Sequence, residues 1–431
     1  MVFSKDNDMS KNFKIIEKCR ICGCKDLEEA ISLPPQFLSP TFVETNKDNP
    51  LSKIKVPMTV MVCQNQECSL VQLKESTNPE LLYTNYFYRS GTNETMKKDL
   101  RKVVFKAQKN VKVSANDIVV DIGANDCTMI QWFAKSLKRI AVEPAKNIDW
   151  SGVDSTINII NDFFPSSKFL NALGGKKVKI FTSCAMFYDL DNPNNFVQSI
   201  KQNLDKDGVW CIQLSYALSM TKNLNFYDIC HEHLEYYTLK TLRFLMKKNG
   251  LHLYHAEENR VNGGSAIVFI SHIDKKMNDT DELLNLLDEE CAMGLYEVDA
   301  YKNFYLRMNK LKMKVNKYID DEIKKGNEVL GLGASTKGNV LLQFFGLDKY
   351  RIPAISEKQK SKAGLKTLGS DIDLISEEEA HHRNPSCMLV LPWYFKEEIV
   401  AREFEYIQNG GKLLFPMPYV HIVQKDGEIN L

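Results

Sequence analysis

Two stretches of the sequence run from an apolar strand pattern through a glycine turn into an amphipathic pattern. They are "DIVVDIGANDCTMIQWFA" at 117–134 and "NEVLGLGASTKGNVLLQFFG" at 327–346. A strand that enters a helix through a glycine turn is typical of α/β sheets, which bind ligands at the carboxyl ends of their strands. Because the two turns lie far apart in a chain of 431 residues, they predict two α/β domains.

The charge balance limits the possible partners. Lysine and arginine number 56 and aspartate and glutamate 55, so the net charge of +1 provides no basic field for nucleic acid or an anionic membrane. No stretch approaches the roughly 20 apolar residues that span a bilayer, and the N-terminus lacks the apolar core of a signal peptide. We therefore expect a cytoplasmic protein whose 11 cysteines are thiols or metal ligands.

Four cysteines near the N-terminus have metal-binding spacing. Cys19 and Cys22 form a Cys-x-x-Cys pair in "CRICGC", and Cys63 and Cys68 form a second pair in "VCQNQECSLVQ". Two such pairs can complete a tetrahedral zinc shell, and four protein ligands would make the zinc structural. Cys24 lies in the same loop and the second pair is more widely spaced, so the ligand set stays open, as does an interpretation as unrelated buried cysteines.

The middle of the sequence predicts a sheet with a ligand site at its carboxyl edge. We expect a buried strand at Ile118–Ile122, an amphipathic helix after the turn, and a second strand in "RIAVEP" that ends at Glu143. An acid at that position can accept both hydroxyls of a ribose. A third strand is expected to end in "NDFF", which adds Asp162 and Phe163 as candidates, and further strands lie in 179–190 and 208–216.

The first glycine turn is not a nicotinamide fingerprint. Gly-x-Gly-x-x-Gly would be expected for a dinucleotide, whereas this turn has one glycine in the order Asp121, Gly123, Asn125, Asp126. That order resembles the S-adenosylmethionine loop of class I methyltransferases, in which the strand-end acid binds near the methionine part. The alternative is an ordinary turn without a ligand.

The second glycine turn has the parts of a phosphate site. Gly333, Ser335, Thr336 and Lys337 bring backbone N–H groups, hydroxyls and a cation to a predicted helix N-terminus, with Asn339 two residues further on. Helix N-termini attract phosphate, so this turn suits a pyrophosphate. The order of residues is not that of a P-loop. The charged helical stretch before it, up to about residue 325, predicts a connector between the two α/β domains.

The segment "FYDICHEHLEYYTL" at 226–239 gathers titratable groups that a core would not need. It holds His231, Glu232 and His233, three tyrosines and an aspartate. Histidine is the commonest general base near neutral pH, and a neighbouring carboxylate can raise the basicity of an imidazole. The alternatives are structural histidines or a metal site, although His-x-His alone is a weak metal motif.

In their order, the cysteine pairs, "DIGAND", "CHEHLEYY", "NGGS" and "GASTKGN" resemble the S-adenosylmethionine-dependent C-methyltransferases of nucleotide-linked keto-deoxysugars. The resemblance extends from Cys19 to about Val423 and implies a multidomain α/β fold. Its parts would be a zinc-binding module (1–82), a class I methyltransferase Rossmann-like domain (83–272), a helical connector (273–325) and a second Rossmann-like domain (326–431) that helps to hold the nucleotide sugar.

The resemblance also implies roles for the residues. His233 would be the base that forms an enolate, with Glu232 and His231 beside it. Many members have tyrosine where this chain has Cys230, so Tyr227, Tyr236 or Tyr237 would have to replace that phenol. Candidates for the ligand pockets are Tyr88 and Ser90 for the methyl donor, and Asn262, Gly263 and Gly264 of "NGGS" for the sugar. The alternatives are an aromatic staple before a helix for the first pair and a tight turn without a ligand for "NGGS".

We therefore expect methyl transfer to a carbon, C3, of a GDP- or dTDP-linked 4-keto-6-deoxy sugar, by a monomer or weak homo-oligomer with S-adenosylmethionine and structural zinc. Two alternatives stay open. The protein could methylate oxygen or nitrogen of another small molecule. It could also be a non-catalytic, zinc-containing nucleotide-sugar binding protein, an alternative suggested by Cys230 at the position of the usual tyrosine.

Overall fold

The computed structural model describes residues 12–39, 41–44, 49–83 and 88–431, whose strands form four sheets. The N-terminal elements precede residue 84. They are β1 (Phe13–Ile15), β2 (Leu27–Phe37), β3 (Phe42–Glu44), β4 (Lys55–Cys63), β5 (Val71–Leu73), β6 (Glu75–Thr77) and α1 (Pro79–Tyr83).

The middle domain contains a seven-stranded sheet. Its elements are α2 (Glu94–Lys109), β7 (Ile118–Ile122), β8 (Lys138–Val142), β9 (Asn158–Ile160), α3 (Ser167–Leu173), β10 (Val178–Cys184), α4 (Pro193–Asn203), β11 (Leu204–Ser215), α5 (Ala217–Asn223), β12 (Glu235–Tyr236), α6 (Leu239–Lys248), β13 (Leu251–Asn259) and β14 (Ser265–His272). The strand order is β13-β14-β11-β10-β7-β8-β9, with β7 to β11 parallel and the β13–β14 hairpin antiparallel. This is the α/β sheet that the sequence predicted.

The rest of the chain is a helical pair followed by a second α/β domain. Its elements are α7 (Asp281–Ala292), α8 (Val298–Lys324), β15 (Val329–Leu332), α9 (Thr336–Phe345), β16 (Ala354–Glu357), β17 (Leu365–Thr367), β18 (Asp373–Ser376), α10 (Glu377–Arg383), β19 (Cys387–Val390), α11 (Lys396–Arg402), α12 (Phe404–Gln408), β20 (Lys412–Phe415), β21 (His421–Gln424) and β22 (Gly427–Asn430). None of the helices in the described ranges is long and apolar enough to cross a membrane.

Local sequence explains why the elements nearest the site form. The N-cap of α9 is Ser335, whose side chain accepts a hydrogen bond from the Gly338 N–H, and the C-cap is Gly346 with φ of 71°. The long helix α8 buries Tyr301, Phe304, Met308, Leu311, Val315 and Ile319, a spacing of three to four residues that places them on one face. This stripe packs into the same core cluster as α9.

Two short strands leave their own region of the chain and join another sheet. β3 pairs with β17 at the edge of the nine-stranded C-terminal sheet, whose order is β22-β21-β20-β19-β15-β16-β18-β17-β3. β12 pairs with β5, which extends the N-terminal sheet to the order β12-β5-β4-β2. The N-terminal module is therefore tied by backbone hydrogen bonds to both α/β domains, and β12 directly follows the histidine segment.

One expectation for the middle domain is wrong. The stretch after Gly123 forms a 3₁₀ turn at Ile130–Trp132, and the described residues 124–137 contain no α-helix. Asn125 and Cys127 have φ of 50° and 62°, values that an α-helix does not accommodate. Cys127, Met129, Ile130 and Phe133 are buried even so, whereas Trp132 is exposed. The apolar spacing in this stretch therefore indicated buried positions but not a helix.

Candidate active site

A cavity of about 410 Å³ lies where the middle domain, the histidine segment and the start of α9 meet. Most of the site residues predicted from the sequence line it. They are Tyr88, Ser90, Asp121, Gly123, Asn125, Glu143, Asp162, Phe163, His231, Glu232, His233, Ser335, Thr336 and Lys337. The fold thus brings the donor-type loop, the histidines and the second glycine turn together around one space.

Among the described residues, six further candidates are not part of the cavity lining: Asp126, Tyr227, Gly263, Gly264, Gly333 and Asn339. The side chain of a seventh, Asn262, lies outside the described part of the structure. Asp126 accepts a hydrogen bond from the Gly91 N–H at 2.7 Å, and Asn339 donates to the Ser39 carbonyl at 2.9 Å. Both side chains therefore hold neighbouring loops in place.

Glu143 sits at the carboxyl end of β8, where the sequence placed it. Its two carboxylate oxygens accept hydrogen bonds from the Asn125 and Ala145 N–H groups, each at 2.8 Å. Burial raises the pKa of Glu143, and these backbone hydrogen bonds act against that rise. A carboxylate has about four lone-pair sites, so it retains acceptor capacity for the two hydroxyls of a ribose.

The turn around Gly123 is closed by the segment that carries Tyr88 and Ser90. The Asn125 side chain donates to the Tyr88 carbonyl at 3.1 Å and accepts from the Ser90 N–H at 3.2 Å. Gly123 has φ of 74°, and a Cβ at this position would lie 2.9 Å from the Met186 side chain. Burial raises the pKa of Asp121 to about 8, although the Thr182 hydroxyl donates to it at 2.9 Å.

The histidine segment forms a turn before β12, so its side chains do not alternate as on an extended strand. His231 contacts the Val56 carbonyl through Nε2 at 3.2 Å, whereas the ring of His233 lies 4.1 Å from the ring of Tyr188. Both histidines line the cavity together with Glu232. The two imidazoles therefore have different partners.

The expected increase in imidazole basicity is wrong. Burial lowers the pKa of His233 to about 3, helped by the Lys337 ammonium, and burial lowers the pKa of His231 to about 4. Burial also raises the pKa of Glu232 to about 7, with Lys337 acting in the opposite direction. Near neutral pH both imidazoles are therefore neutral, the form that can accept a proton.

Sequence reasoning missed a group of cavity residues in "FYDLD" after β10. Tyr188 contacts His233, and Asp189 and Asp191 also line the cavity. Burial raises the pKa of Asp189 well above its usual value, and the nearby Glu232 and Glu235 raise it further. The available signal was that these polar residues follow a buried parallel strand, where α/β sheets place their ligand contacts.

Lys337 reaches into the cavity and is held by a buried acid. Its Nζ lies 2.9 Å from Asp228 Oδ1, in the segment that precedes the histidines. The same Nζ lies 4.4 Å from the ring centroid of Tyr227 and 5.6 Å from that of Tyr394. Cation–π contact and the ion pair together fix the position of the ammonium.

The glycines of "NGGS" have a packing role in this structure. A Cβ at Gly263 would collide with the Tyr227 hydroxyl, and one at Gly264 would lie 2.5 Å from Ser219 Cβ. Their φ values of 89° and 128° are also unfavourable for other residues. The next residue, Ser265, does line the cavity. The close approach that these glycines permit is thus made by protein side chains.

The second glycine turn repeats the hydrogen bonds of the first. Gly123 N–H donates to the last carbonyl of β8 at 2.9 Å, and Gly333 N–H donates to the Ser356 carbonyl in β16 at 2.8 Å. Glu357 then accepts from the Ala334 and Gln359 N–H groups at 2.8 and 2.7 Å, as Glu143 does in the first turn. A Cβ at Gly333 would lie 2.7 Å from Pro392. Glu357 is a second strand-end acid, which the sequence interpretation missed although it ends the strand "AISE".

The four predicted cysteine ligands meet at one point. Their sulfur atoms all lie within 4.8 Å of one another, and Cys19–Cys68 and Cys22–Cys63 are each separated by 3.6 Å. A tetrahedral zinc ion with bonds of about 2.3 Å holds its sulfurs about 3.8 Å apart, so the cluster fits zinc. Cys24 instead contacts the Asp26 carbonyl.

Comparison with known proteins agrees with the motifs. Residues 260–418 match the family described as the C-methyltransferase C-terminal domain, and residues 19–83 match a family described as a zinc binding domain. The chain is 25% identical over 418 residues to the C-methyltransferase NovU of Streptomyces niveus, which covers 96% of this chain and 98% of that protein.

Solved methyltransferase structures resemble part of the chain. The methyltransferase bound to the Haloferax volcanii Trm112 activator is 13% identical and covers 42% of this chain and 94% of its own, with a TM-score of 0.34. An S-adenosylmethionine-dependent methyltransferase from Clostridium acetobutylicum is 10% identical and covers 41% and 92%, with a TM-score of 0.33. Since the C-methyltransferase C-terminal domain match, the zinc binding domain match and a C-methyltransferase relative of nearly full length agree with the order of the motifs, the chain is a methyltransferase.

Proposed function

We propose that the protein transfers a methyl group from S-adenosylmethionine to the carbon, C3, of a nucleotide-linked 4-keto-6-deoxy sugar. The observation that supports this most directly is the shared cavity: neutral His233 and the strand-end acid Glu143 face the same space. A methyltransferase acting on oxygen or nitrogen needs no base beside a ketone and would leave the His-Glu-His segment without a purpose.

The chain's own residues divide the work within this cavity. Glu143 would accept the ribose hydroxyls of the methyl donor, and Phe163, which is half-exposed at the cavity, would offer an apolar contact to the same ligand. Bound S-adenosylmethionine supplies an electrophilic methyl group. His233 removes the proton next to the ketone, and the resulting enolate carbon is the nucleophile. Tyr188, in ring contact with His233, provides a phenol in place of the tyrosine that Cys230 replaces.

The C-terminal domain is proposed to hold the nucleotide. Its turn repeats the glycine and acid geometry of the donor turn, with Glu357 in the position that Glu143 has in the middle domain. A strand-end acid of this kind binds a ribose, so the two turns would bind two different ribosides. We propose a GDP- or dTDP-linked sugar, and the relative NovU, a C-methyltransferase, supports carbon as the acceptor.

One experiment tests this function. The protein is incubated with methyl-¹³C-labelled S-adenosylmethionine and GDP- or dTDP-linked 4-keto-6-deoxy sugars, and NMR locates the label. A new carbon–carbon bond at C3 is expected. Label on oxygen or nitrogen would refute carbon methylation, and binding of both ligands without transfer would favour a non-catalytic sugar-nucleotide binding protein.

A further inference from the structure

We propose that Lys337 is a catalytic residue that stabilises the negative charge on the ketone oxygen while the enolate forms. This inference rests on the proposed function and replaces the sequence-based role of Lys337 as a pyrophosphate ligand. It concerns a residue of the C-terminal domain acting on chemistry that takes place at the histidines of the middle domain.

The geometry supports a fixed cation at the reacting centre. Lys337 lines the same cavity as His233 and Glu232, and its side chain is 17% exposed. Its Nζ is held at 2.9 Å by Asp228, whose side chain is 1% exposed. Tyr227 and Tyr394 hold the same ammonium from their ring faces. A donor held in advance stabilises a developing charge without reorganisation, and more strongly where water is excluded.

The charge of Lys337 reaches both groups that handle protons. Burial lowers the pKa of His233, and the field of Lys337 lowers it further. Burial raises the pKa of Glu232, and the field of Lys337 opposes that rise. A cation that opposes the protonation of the imidazole in the resting site favours an anion formed in the same space. The same field therefore keeps the base neutral and stabilises the enolate.

The second turn has fewer free phosphate donors than its sequence indicates. The N–H groups of Gly333, Ala334 and Gly338 already donate to the Ser356 carbonyl, to Glu357 and to Ser335 Oγ. Lys337 itself points toward Asp228 in the neighbouring domain. A diphosphate at this turn would have to compete with the three backbone hydrogen bonds, whereas a ketone that contacts only the Lys337 ammonium would not.

The proposed step balances as follows. His233 accepts the proton from the carbon next to the ketone, and the electron pair of that C–H bond becomes a carbon–carbon double bond. The carbonyl π pair moves to oxygen, where the Lys337 ammonium stabilises it. The enolate carbon then forms a bond to the methyl group as the methyl–sulfur bond breaks, the carbonyl is restored and S-adenosylhomocysteine is released.

Lys337→Met tests this role by separating enolisation from binding. The keto-sugar nucleotide is incubated in D₂O with protein and S-adenosylhomocysteine, and NMR follows deuterium exchange at the carbon next to the ketone. We expect exchange and kcat to fall roughly 10²–10³-fold, as for loss of an oxyanion donor. The inhibition constant of the free nucleoside diphosphate should change less than about threefold.

The opposite result would indicate that Lys337 binds the pyrophosphate, as the sequence predicted. The proposal would be overturned if the exchange rate and kcat of Lys337→Met stayed within about threefold of wild type while the inhibition constant of the nucleoside diphosphate rose about tenfold. Lys349→Met is the matched control, because Lys349 is an ion-paired lysine of the same domain on the surface. If Lys337→Met does not fold, Lys337→Arg keeps the ion pair but displaces the charge, and exchange unchanged in that variant refutes the role.

The test also separates this inference from the proposed function. Wild-type protein that neither exchanges nor methylates any keto-sugar nucleotide would refute the function and the inference together. Wild-type protein that does both, beside a Lys337→Met variant that exchanges normally, would refute the inference alone.

Discussion

The repeated geometry of Glu143 and Glu357 predicts that a substitution of each glutamate weakens the binding of one ligand and leaves the binding of the other unchanged. Each carboxylate uses both oxygens to accept backbone N–H groups at 2.7–2.8 Å, which leaves about two lone-pair sites for two ribose hydroxyls. Glutamine at either position retains one acceptor oxygen and places an NH₂ group against a backbone N–H. We therefore expect Glu143→Gln to weaken the binding of S-adenosylhomocysteine and Glu357→Gln to weaken the binding of the nucleoside diphosphate.

The size of the effect follows from one charge-assisted hydrogen bond. Such a bond contributes about 1.5–3 kcal/mol, and about 1.4 kcal/mol corresponds to a tenfold change in affinity. Each variant should therefore raise the Kd of its own ligand roughly 10- to 140-fold and change the Kd of the other ligand less than about threefold. Calorimetry with S-adenosylhomocysteine, dTDP and GDP measures all of these values.

The control is Glu328→Gln, because Glu328 pairs with Arg383 at the surface and faces neither turn. Thermal unfolding shows whether each variant is folded. Weaker binding of S-adenosylhomocysteine by Glu357→Gln, or unchanged binding of it by Glu143→Gln, would refute the assignment of the two turns.

Three further predictions concern the metal, the fold and the base. Elemental analysis should find one zinc per chain, and a metal-free native protein would contradict this. Cys63→Ser or Cys68→Ser should lower the Tm clearly, with a smaller effect on the methylation rate per folded molecule. The lowered pKa of His231, about 4 against 6.5, means that the unfolded chain binds the extra proton, so about 3 kcal/mol of stability present above pH 6.5 is lost as pH falls toward 4. Urea unfolding at pH 7 and pH 4.5 should show that His231→Gln loses less free energy of unfolding between these pH values than the wild type does. An equal loss in both proteins would contradict this role of His231. His233→Asn should reduce methyl transfer roughly 10²–10⁴-fold with unchanged S-adenosylhomocysteine affinity by calorimetry, and turnover within about threefold of wild type would exclude it as the base.

The parts of the fold that sequence could predict are those encoded by local pattern. Both glycine turns, the strand before each and the helices of the charged stretch lie where the sequence pattern placed them. The two strands are short apolar runs because they are buried throughout, and the long helix shows a regular apolar spacing because one face of it is buried. Glu143 was predictable for the same reason, since it directly follows a short apolar strand. Cysteine spacing was equally informative, and all four predicted ligands converge.

The missed features depend on distant residues. β3 and β12 are two or three residues long, and nothing in so short a run specifies a partner strand elsewhere in the chain. The basicity of His233 was predicted wrongly because a neighbour in sequence, Glu232, was weighed without the burial and the lysine that tertiary structure adds. The contact of Tyr188 with that imidazole likewise joins residues on different segments.

The histidine segment is held from both sides, by the N-terminal module and by the C-terminal domain. Arg20, between two of the clustered cysteines, lies 3.6 Å from the buried Glu235, and its side chain donates to the carbonyl of Leu73 at the end of β5, the strand that pairs with β12. From the opposite side, Lys337 binds Asp228. A metal that fixes the loop of Arg20 thereby fixes one end of the turn that carries His233, while the C-terminal domain fixes the other. A zinc ion bound by the four cysteines would therefore act on the position of the proposed base and not on the reacting bonds.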